Sequence, residues 1–515
     1  MIGWDNLFDR INLVKKNRLK IMWLVLAVLV SFWIVQKSMF LRSFGYGSYP
    51  TPVADEFTYV WQAISLKNYG LPMAWTLNSG VYKDSKFNPK IGSIEGFGIN
   101  TGGEIIDLKK FKENSRPLSA VKEIDYVKGK EQMLFVAPFF DHPPLGGMIY
   151  SFGVDKNIKN VDDVKADDFR KPALIMAIIS VILLFIFLAL ITSNPWVGTL
   201  GVVVYSTAPT YLLATRTAFL ENAVVPFILV HLILLFLYTK YSFKRFSVLL
   251  LIISGLFGGL GVLVKEPAIG FLIGSTILLW KNKINLKNIF IFLISCSVPV
   301  LIYIGWGFYL QRDLFIAILL TNANRGYFGA IKVVTMLEAL KFKNFPTDGW
   351  WIWGLLSFIL VSIKLKDKKI LFLILPLFTH LLVVLLLGSS NYPWYWISAI
   401  PFLAGCSGLL IWGIFNKPNL ITALLFLLIP FSSSYYWGRE ALGIPPSINH
   451  YRMVFIVFGL MLFFRIKFKK NKIIKILWII FMAWMMYKIV VFNELFIPYL
   501  IAHWGNLSIS SLPNY

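Results

Sequence analysis

The stretch LIMAIISVILLFIFLALIT at Leu174–Thr192 contains no charged residue. A helix of about 20 apolar residues crosses the hydrocarbon core of a bilayer and satisfies its own backbone polar groups there. Similar apolar blocks stand at Ile21–Phe40 and Ile473–Phe492. In the whole chain 57% of the residues are hydrophobic and 15% are charged, whereas soluble domains are about 25% charged. The blocks therefore predict an all-α polytopic membrane protein.

The apolar blocks predict about thirteen transmembrane helices, with one large polar loop between the first two. Basic residues precede the first block and no small-residue cleavage site follows it, so we expect this helix to be retained rather than removed as a signal peptide. The predicted spans lie at about 20–40, 172–192, 196–214, 222–239, 247–264, 267–280, 288–310, 349–363, 370–388, 394–414, 418–434, 452–466 and 473–492.

The predicted spans divide the chain into four parts. Residues 1–40 hold the cytoplasmic N-terminus and helix 1. Residues 41–171 form the first external loop, with interfacial helices and the motifs that could carry chemistry. Residues 172–414 hold helices 2–10, and residues 415–515 hold helices 11–13 and an external tail.

The net charge of +24 is carried by short runs of Lys and Arg between the apolar blocks, such as Lys15–Lys20, Lys364–Lys369 and Lys467–Lys472. These runs recur at every second loop, which is the pattern of the positive-inside rule. We therefore interpret them as cytoplasmic loops and exclude a nucleic-acid-binding role. Cys296 and Cys406 both stand in apolar stretches, and their spacing fits neither a disulfide framework nor a zinc site.

The stretch ADEFTYVW at residues 54–61 follows helix 1 closely. From Asp55 to Lys67 the apolar residues have helical spacing, which predicts an interfacial helix at the membrane surface. Asp55 is either the N-cap of that helix or a general base held where it meets a lipid-borne substrate. Adjacent residues point in different directions on a helix, so Asp55 and Glu56 are expected to have different roles.

The stretch FDHPPLGG at residues 140–147 is the most distinctive motif in the chain. Its two prolines stiffen the backbone and its two glycines permit close backbone approach. The motif is either a rigid turn that re-enters the membrane or a support from which Asp141 and His142 orient a substrate. The sequence alone leaves both interpretations open.

Several polar residues gather on the predicted external face, opposite the basic runs. Arg216 and Glu221 flank one external turn and form either a local ion pair or part of a binding site. Lys265, at the next turn, either snorkels to the interface or joins them. With Arg170, these cations suit an anionic group such as a lipid phosphate. Aromatic residues at the start of helix 10 form either an interfacial belt or a sugar platform; they include Tyr392 and Tyr395.

These residues, in this order, resemble the GT-C glycosyltransferases, in particular the dolichyl-phosphate-mannose:protein mannosyltransferase family and its bacterial relatives, including the aminoarabinose transferases of lipid A. The resemblance covers residues 20–410, mostly as topology. Glu221 departs from the family's commoner Asp, and Gly147 stands where eukaryotic members often have Lys. The elements that carry the resemblance are Asp55-Glu56, His142 to Gly146, Arg170, Thr215-Arg216 with Leu220-Glu221, Gly261 to Lys265, and Tyr392-Pro393.

The resemblance implies inverting transfer of a sugar from a polyprenyl-phosphate donor to an acceptor hydroxyl on the external face. It implies catalytic roles for Asp55 and Glu56, with Asp55 deprotonating the acceptor. The donor phosphate would be bound by Arg170, Arg216 and Lys265. The implied substrate-binding residues are Tyr59, Asp141, His142, Glu221, Tyr392 and Tyr395.

The same resemblance bears on cofactors and partners. No cofactor is expected, because side-chain cations suffice for a monophosphate leaving group; a divalent metal is compatible but not indicated. The expected partners are the lipid-linked donor, a protein, glycan or lipid acceptor, and the bilayer. The expected location is the plasma membrane of a prokaryote, as a multi-pass protein.

Two other functions would require different sequence features. An oligosaccharyltransferase needs a metal-binding acidic motif and a soluble C-terminal domain with a Trp-Trp-Asp signature, which Asp348-Gly349-Trp350-Trp351 does not supply. A secondary transporter or a flippase for a lipid-linked saccharide needs ionisable residues near the middle of broken helices. Arg216 and Lys265 discriminate, because the enzyme places them at helix ends and the transporter at mid-bilayer.

Overall fold

The computed structural model of the chain describes residues 4–45, 54–76, 78–82, 134–136, 138–158, 164–240, 247–324, 348–363, 367–386, 393–445 and 447–504. Within these ranges nearly all regular structure is helical. Nine of the described helices are long and apolar enough to cross a membrane, by length and composition, and two more apolar helices are shorter. The predicted all-α multi-pass membrane architecture is confirmed.

The helices are, in chain order, α1 (Trp4–Ser43), α2 (Ala54–Tyr69), α3 (Ser79–Tyr82), α4 (Leu145–Tyr150), α5 (Ala166–Thr192), α6 (Pro195–Thr207), α7 (Pro209–Ala214), α8 (Leu220–Lys240), α9 (Ser247–Val264), α10 (Ile269–Lys281), α11 (Leu286–Ala323), α12 (Gly349–Ile363), α13 (Leu371–Leu386), α14 (Ile400–Asn416), α15 (Leu420–Phe426), α16 (Ser432–Ala441), α17 (Ile448–Lys467) and α18 (Lys472–Trp504). Short 3-10 segments lie at Ser151–Gly153, Glu266–Ala268 and Pro393–Ala399, and a π-helical turn joins α15 to α16. Strands β1 (Ala74–Thr76) and β2 (Leu134–Val136) pair antiparallel.

Two helices continue well beyond their predicted C-terminal ends. The span predicted to end near residue 310 continues to Ala323, through a kink with non-helical angles at Gln311. The last span was predicted to end near residue 492, but α18 continues to Trp504. Both predictions were wrong because hydropathy marks where charge enters the sequence, whereas a helix continues while one face still packs. That packed face includes Leu314, Phe315, Ile318, Phe496, Ile497 and Leu500, all buried.

One buried arginine ties the end of α1 to the rest of the bundle. Arg42 donates hydrogen bonds to the backbone oxygens of Leu212 at 3.2 Å and Tyr205 at 3.1 Å. It also donates to the hydroxyl of Thr215. We call this end of the bundle, which carries Ser43, Arg216 and Lys265, the loop end.

Candidate active site

Helix α2 lies at the loop end and is anchored there by a buried ion pair. The Glu56 carboxylate accepts from the Arg170 guanidinium twice, from Nε at 3.0 Å and from Nη2 at 2.6 Å. One of its oxygens also accepts from the backbone N–H of Ala218 at 2.7 Å. Glu56 and Arg170 are fully buried. Glu56 thus joins α2 to α5 and to the turn before α8.

Asp55 has a different environment from its neighbour, since it is only half-buried in the first turn of α2. Tyr59 lies one helical turn further along the same side of this helix. Burial raises the pKa of the Tyr59 hydroxyl well above its ordinary value, Lys265 opposes this shift, and the Asp55 carboxylate adds to it. Asp55 therefore acts electrostatically on the group of residues around Lys265.

Lys265 is the centre of a buried polar cluster at the loop end. It is 1% exposed and stands in extended conformation between α9 and the 3-10 segment that contains Pro267. Its ammonium donates to the Tyr59 hydroxyl at 3.0 Å and to His142 Nε2 at 3.3 Å. The same nitrogen lies 3.6 Å from a Glu221 oxygen and 5.0 Å from the centre of the Tyr395 ring. Four segments that are distant in sequence thus meet the segment that carries Lys265 at one ammonium group.

These contacts determine which nitrogen of the His142 ring carries the proton. An ammonium group can only donate, so Nε2 of His142 accepts from Lys265 and the ring proton sits on Nδ1. This nitrogen faces Glu266 Oε1 at 3.6 Å. Burial would raise the pKa of Glu266, but His142 and Lys265 outweigh burial and lower it below its ordinary value. His142 therefore links a cation on one side to a carboxylate on the other.

Glu221 lies in the first turn of α8, and its carboxylate is buried in the cluster. It is 2% exposed, and neither of its oxygens accepts a hydrogen bond from any residue that the structure describes. Its nearest charged neighbour is Lys265. A buried carboxylate in this state has spare acceptor capacity, which hydroxyl groups of a ligand could fill.

The two glycines of the 140–147 motif do permit close backbone approach, which confirms that part of the sequence prediction. A Cβ added at Gly146 would lie 2.2 Å from Leu220 Cδ2, and one at Gly147 would lie 2.6 Å from Gln62 Oε1. Helix α4 therefore packs closely between α2 and the start of α8. This packing holds His142 against the two helices that carry Tyr59 and Glu221.

Gly146→Ala is expected to destabilise the protein by about 1–3 kcal/mol, because the added methyl group overpacks the contact with Leu220. The measurement is thermal unfolding of the detergent-purified variant. Gly305→Ala is the matched control, since Gly305 is also helical and nothing lies within 4 Å of its added Cβ. Equal melting temperatures for the two variants would contradict this account of the motif.

Asp141 lies close in sequence to His142 but makes different contacts. Its carboxylate accepts from the Thr76 hydroxyl at 2.6 Å and from the Tyr82 hydroxyl at 3.5 Å. Its backbone oxygen accepts from the Asn322 amide at 3.0 Å. Asp141 thus ties β1 and α3 to the end of α11, and these contacts give it a structural role beside the substrate-binding role that was predicted.

Of the remaining predicted site residues, Arg216 and Tyr395 lie in the part of the chain that the structure describes. Arg216 is fully buried and donates to the backbone oxygen of Phe44 at 2.7 Å, which places it beside the end of α1. Tyr395 is half-buried in the 3-10 segment before α14. Tyr392 lies outside the described residues. Among the described residues, no group of three or more His, Cys, Asp or Glu side chains could hold a metal ion.

Sequence reasoning missed Arg42 as a part of this region, and it grouped Glu266 with the external polar residues without predicting its contact with His142. Arg42 donates to the side-chain hydroxyl of Thr215, the residue before Arg216, and Glu266 faces His142. The signal for Arg42 was an arginine at the external end of an apolar helix, in a chain whose basic residues gather on the cytoplasmic side. Glu266 adjoins Lys265, and its partner lies too far away in sequence for pattern reasoning to find.

Residues 141–306 match the model of one protein family. It is the dolichyl-phosphate-mannose-protein mannosyltransferase family. The resemblance predicted from the motifs is therefore confirmed for this segment, which carries His142, Arg170, Arg216, Glu221 and Lys265. No curated protein matches the chain significantly.

Two solved structures are similar to the chain at low sequence identity. ArnT from Cupriavidus metallidurans, bound to undecaprenyl phosphate, is 10% identical with a TM-score of 0.48, over 94% of this chain and 77% of that one. The archaeal oligosaccharyltransferase AglB from Archaeoglobus fulgidus, in complex with an inhibitory peptide and a dolichol-phosphate, is 10% identical with a TM-score of 0.42, over 88% of this chain and 56% of that one.

Proposed function

We propose that the chain is a membrane glycosyltransferase that moves a sugar from a polyprenyl-phosphate donor to an acceptor hydroxyl on the external face, with inversion. The observation that carries the proposal is the buried Lys265 ammonium, surrounded by Tyr59, His142 and Glu221, with Asp55 at the edge. The family match over residues 141–306 supports it, because three of these residues lie inside that segment.

In this mechanism Asp55 is the general base. It takes the proton of the acceptor hydroxyl while that oxygen attacks the anomeric carbon. The bond between the anomeric carbon and the phosphate oxygen breaks, and the polyprenyl monophosphate leaves with the bonding electron pair. Asp55 is suited to this role because it is half-buried at the start of α2, whereas Glu56 is fully buried in its ion pair with Arg170.

Lys265 and Arg216 are assigned to the donor phosphate. Negative charge gathers on the phosphate oxygens as the bond to the sugar breaks, and cations fixed in a buried site stabilise it without having to reorient. Lys265 is held in place by its hydrogen bonds to Tyr59 and His142. Arg216 is held beside Phe44 by its own hydrogen bond.

Arg170 and Glu56 are assigned a positioning role in place of the phosphate-binding and catalytic roles that the resemblance implied. Their bidentate pairing is fully buried, so their charges compensate one another. The pair fixes the position of α2 in the bundle, and therefore also the position of Asp55. Glu221, His142 and Tyr395 remain as the residues that would contact the sugar.

The transporter alternative is disfavoured by where the cations lie. Lys265 stands in the break between α9 and α10, and Arg216 stands in the turn between α7 and α8. Both positions are helix ends, as the enzyme requires, rather than the middles of broken helices. A transporter would also release the sugar still attached to its lipid, which an assay for cleavage of the donor detects.

The test uses the purified full-length protein in liposomes, with a panel of polyprenyl phosphates that carry radiolabelled sugars. The proposal expects release or transfer of sugar from one donor class. Binding without cleavage, or movement of intact donor across the bilayer, would favour the transporter. No binding and no cleavage across the whole panel would overturn the proposal.

Lys265→Met is expected to lower kcat by about 10²–10³-fold with that donor, because the leaving phosphate loses a fixed cation. Lys281→Met serves as the control, since Lys281 lies in the last turn of α10 at the opposite end of that helix. Turnover per folded molecule is the measured quantity, with folding checked by thermal unfolding. Equal turnover for both variants would remove Lys265 from the mechanism.

A further inference from the structure

His380 of α13 lies just behind the cluster around Lys265 and is 1% exposed. Its Nδ1 is 3.1 Å from the backbone oxygen of Pro267, and its Nε2 is 2.8 Å from the hydroxyl of Ser398. The ring stacks on Phe271 with 4.0 Å between ring centres and 12° between planes. One imidazole therefore holds groups from two separate segments.

These two bonds determine the state of the ring. A carbonyl oxygen can only accept, so Nδ1 of His380 carries the proton and donates to Pro267. Nε2 then has a free lone pair and accepts the proton of the Ser398 hydroxyl. A neutral imidazole with its proton on Nδ1 satisfies both partners.

The two segments bonded by His380 are those that carry Lys265 and Tyr395. Pro267 follows Lys265 by two positions, and Ser398 follows Tyr395 by three. The Lys265 ammonium lies 5.0 Å from the centre of the Tyr395 ring. Lys265 and Tyr395 lie at the start of two 3-10 segments that lead directly into the long helices α10 and α14, and His380 bonds both segments.

We propose that His380 is a positioning residue that fixes the Lys265 ammonium relative to the Tyr395 ring, and so sets the geometry of the site that receives the donor. This inference rests on the proposed function, because it assigns His380 to the same site. His380 acts through Pro267 and Ser398 and does not itself contact Lys265 or the substrate.

The backbone that carries His380 is itself held closely. A Cβ added at Gly270 would lie 2.5 Å from His380 Cα, and one at Gly274 would lie 2.4 Å from the Thr379 hydroxyl. Small residues four positions apart let two membrane helices approach closely. Helix α10, which continues from the Lys265 segment, is therefore pressed against α13 at His380.

A second buried histidine offers a matched control within the same chain. His231 of α8 has Nδ1 2.9 Å from the backbone oxygen of Ser254 and Nε2 2.8 Å from the Ser275 hydroxyl. It stacks on Phe292 with 5.7 Å between ring centres. Its chemistry is that of His380, but its partners lie within α9 and α10, away from Lys265 and Tyr395.

The first experiment reads the position of Lys265 without any assay of activity. Full-length His380→Phe and His231→Phe are reconstituted in liposomes and treated with an amine-reactive ester, and labelling of Lys265 is followed by mass spectrometry. Phenylalanine keeps the stacked ring and removes both hydrogen bonds. We expect Lys265 to be labelled about tenfold faster in His380→Phe than in wild type, with His231→Phe unchanged.

The second experiment measures kcat/KM for the donor that the wild-type protein uses. Misplacing a catalytic group by about 1 Å costs up to about 10²-fold in rate, so we expect a 10- to 100-fold loss in His380→Phe. His231→Phe should keep the wild-type value per folded molecule. His380→Gln, whose amide has both a donor and an acceptor, should restore most of the rate and the protection of Lys265.

Ser398→Ala removes only one of the two bonds and provides a milder variant if His380→Phe does not fold. It should give intermediate labelling of Lys265. Equal labelling of Lys265 in wild type and Ser398→Ala, and in His380→Phe where that variant folds, together with equal kinetics, would overturn the inference. If the wild-type protein cleaves no donor, the proposed function fails, but the labelling result still decides whether His380 positions Lys265.

Discussion

Asp55→Asn is expected to lower the rate of sugar transfer by about 10²–10⁴-fold, while the donor still binds. The amide has the shape of the carboxylate but cannot accept the proton of the acceptor hydroxyl. Donor binding should persist, because the contacts assigned to the phosphate come from Lys265 and Arg216. The measurement is single-turnover transfer in liposomes, alongside equilibrium binding of the same labelled donor.

Asp168→Asn is the control for this prediction. Asp168 is another aspartate in the first turn of a helix, and its partner is the exposed Lys171. Its variant should transfer sugar at the wild-type rate. If Asp55→Asn also keeps the wild-type rate, or if it loses donor binding in parallel with turnover, Asp55 is not the base.

The second large effect is expected for Arg170→Met, which should destabilise the protein by about 3–5 kcal/mol. The change leaves the Glu56 carboxylate buried without its bidentate partner. If Arg170 instead served the donor phosphate, the variant would fold normally and only the KM for the donor would rise. Thermal unfolding together with donor kinetics therefore separates the two roles.

Lys171→Met is the matched control, because Lys171 is the next residue and its ion pair with Asp168 is exposed. An exposed pair contributes about 0–1 kcal/mol, so the control should unfold near the wild-type temperature. The double variant Glu56→Gln with Arg170→Met removes both charges and should recover part of the loss. A stable Arg170→Met protein would contradict the positioning role.

The sequence predicted the membrane spans well, because the bilayer imposes a one-dimensional rule on each span. Helix α9 was predicted at residues 247–264 and is observed at Ser247–Val264. The ends of α11 and α18 were missed because packing rather than hydropathy decides them. The bilayer rule does not apply to the first loop. There the sequence predicted the motifs but not the residues that they contact.

The candidate site was predicted as a set of residues but not as a geometry. Lys265 and Tyr59 are 206 positions apart, yet their polar atoms are 3.0 Å apart. Nothing in local spacing distinguishes Asp55 from Glu56, and only the folded structure shows that Glu56 is the one paired with Arg170. His380 has no motif at all, because its role depends on two backbone segments that meet only in the folded chain.

The long separation between Glu56 and Arg170 has a consequence for synthesis. The glutamate leaves the ribosome 114 residues before its partner, so α2 lacks this ion pair until the start of α5 has been made. Lys265 and Tyr395 follow later still. The cluster around Lys265 is therefore completed only after most of the bundle has been inserted, and a nascent chain that ends within α8 would contain both partners of Glu56 but would lack Lys265.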